Sequence, residues 1–204
     1  MINYIKKLFY SDALNKIFKI NIFVYIIQCL ILLLSNNVYN LYILLFSIHS
    51  DVLIDIMIPF KFITHGFIHR DIYHILGNMM TILLNYWIFA KIKDYKIWLI
   101  YIISVLFSGV VYIIFINLFK TDASMLLGSS GAILGLLTYS YLIYDRKKII
   151  FNLEIRHILY LYLVSNLFSL FDDETIGTGI AHLSGMFIGY LFYICDDKKR
   201  TYLK

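Results

Sequence analysis

The stretch LLGSSGAILGL, Leu126–Leu136, sets two polar residues, Ser129 and Ser130, between Gly128 and Gly131 at the mouth of a long apolar segment. A serine framed by glycines at a helix start is open to approach. The first turn of a helix also leaves backbone N–H groups unpaired beside it. These are two requirements of a nucleophilic serine: access for the reacting carbonyl, and donors for the oxyanion that forms. By itself, G-x-S-G equally describes a flexible turn followed by helix-packing glycines. The rest of the chain decides between the two.

Working outward, the apolar segment is one of several. Of 204 residues, 61% are hydrophobic and 15% charged, with a single proline, and the mean hydropathy is +0.78. A soluble domain holds about 45–50% apolar and about 25% charged residues, so the composition is that of an integral membrane protein. Six segments approach the roughly 17–25 helical residues that cross a bilayer: 18–35, 72–90, 97–119, 129–144, 156–171 and 178–195. The fourth and fifth are short. The first is too long for a cleaved signal peptide and has no small-residue cleavage site after it. Without repeats or a Pro/Gly linker, the expected organisation is one membrane domain, 18–195. A cytoplasmic segment, 1–17, precedes it and a basic tail, 196–204, follows it. Cys29 and Cys195 fall inside the first and last spans and offer no disulfide framework.

Charge sets the orientation. With the N-terminus inside, the inner segments hold Lys6, Lys7, Lys16, Lys19, Lys91, Lys93, Lys96, Arg146, Lys147, Lys148, Arg156, Lys198, Lys199, Arg200 and Lys204. The outer segments hold Lys61, Arg70 and Lys120. Fifteen against three places both termini in the cytoplasm by the positive-inside rule. The formal net charge of +5 is dispersed over these loops and so does not point to nucleic acid. The first outer loop, about 36–71, contains Pro59 and large apolar residues, and is expected to lie in the membrane interface.

That orientation brings polar residues to one level. Asp71 is an expected N-cap for the second span, and His74 and Asn78 follow one turn apart on one face. Ser130 opens the fourth span, and His182 lies in the first two turns of the sixth. Polar groups inside a span are costly and normally point into the bundle. Alone, His74 and Asn78 would serve as an interhelical hydrogen-bonded pair, and His182 as a packing histidine. Together with Ser130, at similar depth below the outer face, they form a nucleophile, a base and two oxyanion donors. His182, Gly185 and Gly189 share a face that suits close packing on the Gly131–Gly135 stripe.

Absences narrow the chemistry. None of the six spans contains Asp or Glu, which excludes an intramembrane aspartyl protease and disfavours a proton-coupled transporter. HExxH does not occur. His65, His69 and His74 have no thiol nearby and only Asp71 as an acidic neighbour, a poor metal set. No metal or cofactor is expected. With no carboxylate in the spans, the chemistry reads as a Ser–His dyad.

The chain resembles the rhomboid intramembrane serine proteases in their six-helix bacterial form, from about Phe62 to Tyr190. The resemblance rests on H-x4-H-x3-N (His69, His74, Asn78), G-x-S-G (Gly128 to Gly131) and A-H-x-x-G-x-x-x-G (Ala181, His182, Gly185, Gly189). It implies an all-α, six-helix bundle in a bacterial plasma membrane, with the active site toward the outer face. Its substrates would be single-span membrane proteins, cut near the outer leaflet. Ser130 would be the nucleophile and His182 its base. His74, Asn78 and the backbone N–H groups of Ser130 and Ser129 would line the oxyanion hole, and His69 would order the loop. Lateral entry between the second and fifth spans is implied, capped by the loop Asp172–Gly179, to which Gly177 and Gly179 lend freedom. Two family features are missing: the Trp-Arg pair of the first outer loop, and an aromatic residue four after the nucleophile, where Leu134 stands. The alternative is a catalytically silent relative that binds transmembrane helices.

Overall fold

The computed structural model describes residues 11–49, 58–119, 125–144 and 154–201. Of the charges used above for orientation, Lys6, Lys7, Lys120, Arg146, Lys147, Lys148 and Lys204 lie outside these residues. The described chain is helical, save for the isolated antiparallel bridge Ile48–Leu126. In order the helices are α1 (Asp12–Leu34), α2 (Asn36–Phe46), α3 (Ile58–Thr64), α4 (Ile72–Phe89), α5 (Asp94–Phe119), α6 (Ser130–Ile143), α7 (Ile155–Phe168) and α8 (Ile176–Thr201). A 3-10 turn, Ser169–Phe171, closes α7. Three stretches are long and apolar enough to cross a membrane: Asp12–Leu34, Asp94–Phe119 and Ile176–Asp196. Ser130–Ile143 and Ile155–Phe171 are shorter apolar helices.

Helix ends follow caps rather than hydropathy. α1 begins at Asp12, six residues before the apolar window, because Ser11 Oγ accepts from Leu14 N at 3.3 Å. That extra turn buries Ala13, Leu14 and Ile17. Asp71 caps α4 as expected, its Oδ1 accepting from His74 N at 2.8 Å. The expectation for Gly177 and Gly179 is corrected: both lie inside α8, not in a loop. Asp172 closes the preceding turn, accepting from Thr175 Oγ1 and, through its carbonyl, from Ile176 N. The helix therefore starts at Ile176.

α6 is the centre of the bundle. Every residue from Gly131 to Tyr141 is buried, and α6 packs most closely on α8. The glycine stripes make that approach. A Cβ on Gly185 would sit 1.9 Å from the Gly131 carbonyl oxygen, and one on Gly189 would sit 2.1 Å from that of Gly135. α5 completes this centre, with Ser108 Oγ donating to Ala181 O at 2.9 Å. At the end of the bundle away from Ser130, Asp196 of α8 accepts from Lys96 Nζ of α5 and Tyr139 OH of α6, each at 2.5 Å.

The connection between α1 and α4 contains α2 and α3 and is anchored without the Trp-Arg pair. Lys61 Nζ donates to Leu44 O at 2.8 Å and Thr64 Oγ1 to Phe46 O at 3.0 Å. Ile48 pairs its N–H and C=O with Leu126 at 3.1 and 2.7 Å. The loop is thereby tied to the segment that leads into Ser130.

Candidate active site

The serine turn is shaped by its neighbours. Gly128 has φ +114°, a conformation in which a side chain is strained. A Cβ there would also come within 2.6 Å of His74 Cε1 and Nε2. Gly128 N donates to His65 O at 2.8 Å, fixing the turn against the connection between α1 and α4. Ser129 O accepts from Ile133 N at 3.0 Å and starts α6, so Ser130 stands at the first helical position.

Ser130 Oγ lies 2.7 Å from His182 Nε2. On the other edge of that ring, Nδ1 is 2.6 Å from Asn166 Oδ1 of α7. Ser130, His182, His74 and Asn78 all line one cavity of about 320 Å³. Asn78 is buried, and its Nδ2 has no hydrogen-bond partner among the described residues. A buried amide donor left unpaired costs roughly 1–3 kcal/mol unless something arrives to accept from it. His74 Nδ1 accepts from Arg70 N at 3.4 Å, so Nε2 carries the proton, on the edge that faces Gly128. The cavity thus holds a paired serine and base, with two donors that a developing oxyanion can use.

His69 and Ser129 sit behind this set. The Gln28 side chain of α1 grips the His69 backbone at both ends, accepting from its N at 3.0 Å and donating to its O at 2.7 Å. The His69 ring meets His74 edge-on, with centroids 5.1 Å apart, and its Nε2 lies 3.3 Å from Ser129 Oγ. The Ser129 side chain is fully buried and turned from the cavity toward His69. His65 is buried too, donating from Nδ1 to Lys61 O at 2.8 Å. Burial keeps both loop histidines neutral, lowering His65 to about 4 and His69 to about 3.

Three residues of this arrangement escaped the sequence reading: Asn166, Gln28 and His65 in its role of holding Gly128. The signal for the first two was present. Each is a polar side chain in an apolar span, the same argument that singled out Asn78.

Comparison with known proteins agrees with the motifs. The family model described as Rhomboid domain matches residues 59–197. A search of curated proteins found no match.

Proposed function

The chain belongs to the rhomboid family, and from that premise we propose that it is an intramembrane serine endopeptidase working through Ser130 and His182. The observation that carries the reading is the 2.7 Å Ser130 Oγ–His182 Nε2 pair, in the same cavity as Asn78, whose Nδ2 has no partner among the described residues. His182 takes the Ser130 proton as Oγ attacks the scissile carbonyl, and the resulting oxyanion accepts from Asn78 Nδ2, His74 Nε2–H and the Ser130 backbone N–H. His182 then delivers its proton to the leaving amine. Water, deprotonated by His182, releases the acyl group and regenerates the serine.

The apolar helices support a membrane placement for this reading. In this reading six helices span, both termini are cytoplasmic and the site faces outward in a bacterial plasma membrane. α6 has 14 residues and is about 21 Å long, against a hydrocarbon core of about 30 Å. A helix this short, tied to α5 and α8 near its C-terminal end through Tyr139, Lys96 and Asp196, would leave its Ser130 end recessed below the outer surface. The cavity above it admits water to the serine. Substrates are single-span proteins whose helix unwinds near its outer end, exposing the carbonyl that an intact helix would hide.

A fluorophosphonate probe tests the reading directly, together with cleavage of a single-span reporter in vesicles. Labelling of the wild-type chain, lost in Ser130→Ala and His182→Ala, is the expected result. A folded wild-type protein that neither labels nor cleaves would be the silent helix-binding relative instead.

A further inference from the structure

The hydrogen bonds around Asn166 settle which way its amide faces. Asn166 Nδ2 donates to Tyr162 O at 2.7 Å, one turn back on α7. Its Oδ1 therefore faces His182 Nδ1, 2.6 Å away. An amide oxygen can only accept, so His182 must carry its proton on Nδ1, and the Nε2 lone pair is then the one aimed at Ser130 Oγ. That is the tautomer a general base for Ser130 requires.

The surroundings of Asn166 are built for this. α7 buries only Ile155, Leu159 and Asn166, so the single buried side chain of its outer half is an amide. Asn166 O accepts from Ser169 Oγ at 2.9 Å. A Cβ on Gly179 would press on Ser169 Oγ at 2.9 Å and on Asn166 O at 3.1 Å. Gly179 thus lets α8 settle against this turn of α7 and brings His182 within reach of the amide. A carboxylate would orient the ring as well, but an uncompensated charge inside an apolar span is far more costly than a neutral amide. Leu134, the aliphatic residue at the position of the family's stacked aromatic, offers the imidazole no ring face.

We propose that Asn166 is a positioning residue that makes a Ser130–His182–Asn166 relay of the dyad, holding the imidazole in its Nδ1–H tautomer from α7. The proposal rests on the serine-protease reading above. Its test has two arms, one of which is independent of activity.

In the first arm, the chain is labelled with [15N]histidine and His182 is assigned by its loss in His182→Gln. The wild type should show a protonated Nδ1 and an unprotonated Nε2, and Asn166→Leu should show a mixture of tautomers. In the second arm, the fluorophosphonate labelling rate and the cleavage kinetics are measured for Asn166→Leu, Asn166→Ala and Asn166→Asp. Loss of a group that orients a working ligand or base typically costs about 10–100-fold. Asn166→Leu and Asn166→Ala should lose that much in labelling rate and kcat, with KM within about two-fold, and Asn166→Asp, which keeps the acceptor, should recover most of it. The wild-type spectrum carries the test even if a variant fails to fold. A wild-type His182 protonated on Nε2, or an Asn166→Leu protein that labels at the wild-type rate, overturns the proposal and leaves the protease reading standing. A wild-type chain with the expected tautomer but no labelling of Ser130 overturns the protease reading and, with it, any catalytic use of the orientation.

Discussion

Ser130 and His182 touch each other, and groups that act as a unit lose nearly everything when either is removed. Ser130→Ala and His182→Ala should each lower reporter cleavage by on the order of 10⁴-fold or more, and the double variant should be no worse than either single one. Markedly additive losses would mean that the two side chains do not share a step. In the proposed mechanism Asn78 and His74 act differently, through donors that matter once charge develops on the substrate oxygen. Asn78→Ala and His74→Ala should each lower kcat by about 10²–10³-fold with little change in KM. An unchanged kcat in both would return this pair to helix packing. The loop histidines carry a prediction about pH. Their pKa values, about 4 for His65 and about 3 for His69, lie below the ordinary 6.5, so below pH 6.5 the unfolded chain binds more protons than the folded one. Stability is then fully present above pH 6.5 and falls as the pH drops toward 4 and 3. By pH 5 each histidine should have removed roughly 2 kcal/mol. Melting temperatures in detergent from pH 7.5 to 5 should fall accordingly, and His69→Gln should flatten part of the slope. A flat wild-type profile would contradict the neutral, buried assignment.

Among the elements, the α6–α8 seam does most to set the site. Ser130 and His182 lie on these two helices, and the glycine faces let the backbones approach closely enough for a 2.7 Å contact. Gly185→Ala must push Gly131 O away from a position 1.9 Å from the new Cβ, and overpacking of that kind typically costs about 1–3 kcal/mol. Gly77 of α4 is the matched control, because a Cβ there meets nothing within 4 Å. Gly77→Ala should stabilise by up to about 1 kcal/mol through helix propensity alone. The paired measurement is thermal melting with fluorophosphonate labelling. Gly185→Ala should lose both stability and labelling, and Gly77→Ala should gain or hold stability. A tolerated Gly185→Ala would show that the seam is looser than its geometry.

Across the whole molecule, burial is uneven. α6 is enclosed, whereas α7 buries three side chains and leaves Leu161, Val164, Leu167 and Phe168 exposed. α4 likewise presents Tyr73, Leu76, Met80 and Leu84 outward. A helix with few buried contacts is the one most easily displaced, which suits α7 as the side through which a substrate helix enters. Cysteines that lock the outer halves of α4 and α7 together should suppress cleavage of the single-span reporter, and reduction should restore it. The small fluorophosphonate should still label the locked protein, because the lock keeps Asn166 against His182. Full reporter cleavage with the lock closed would exclude entry between these helices.

Hydropathy was sufficient for the helical class and for its long apolar stretches, and residue spacing was sufficient for the motifs that contain Ser130, His182, His74 and Asn78. Each of those signals belongs to a residue or a window by itself. The ends of α1 and α8 were less legible, since hydropathy registers where a bilayer is tolerated, whereas a helix continues wherever caps and propensity allow. The anchoring of the connection between α1 and α4 through Lys61, Thr64 and the Ile48–Leu126 bridge was not legible at all. Nor were the partners of Gln28 and Asn166. Their spans marked them as polar residues needing something to bond, but not what. That choice depends on the rotation and depth of each helix against its neighbours, which are set by the packing of the glycine seams and exist only once the chain has folded.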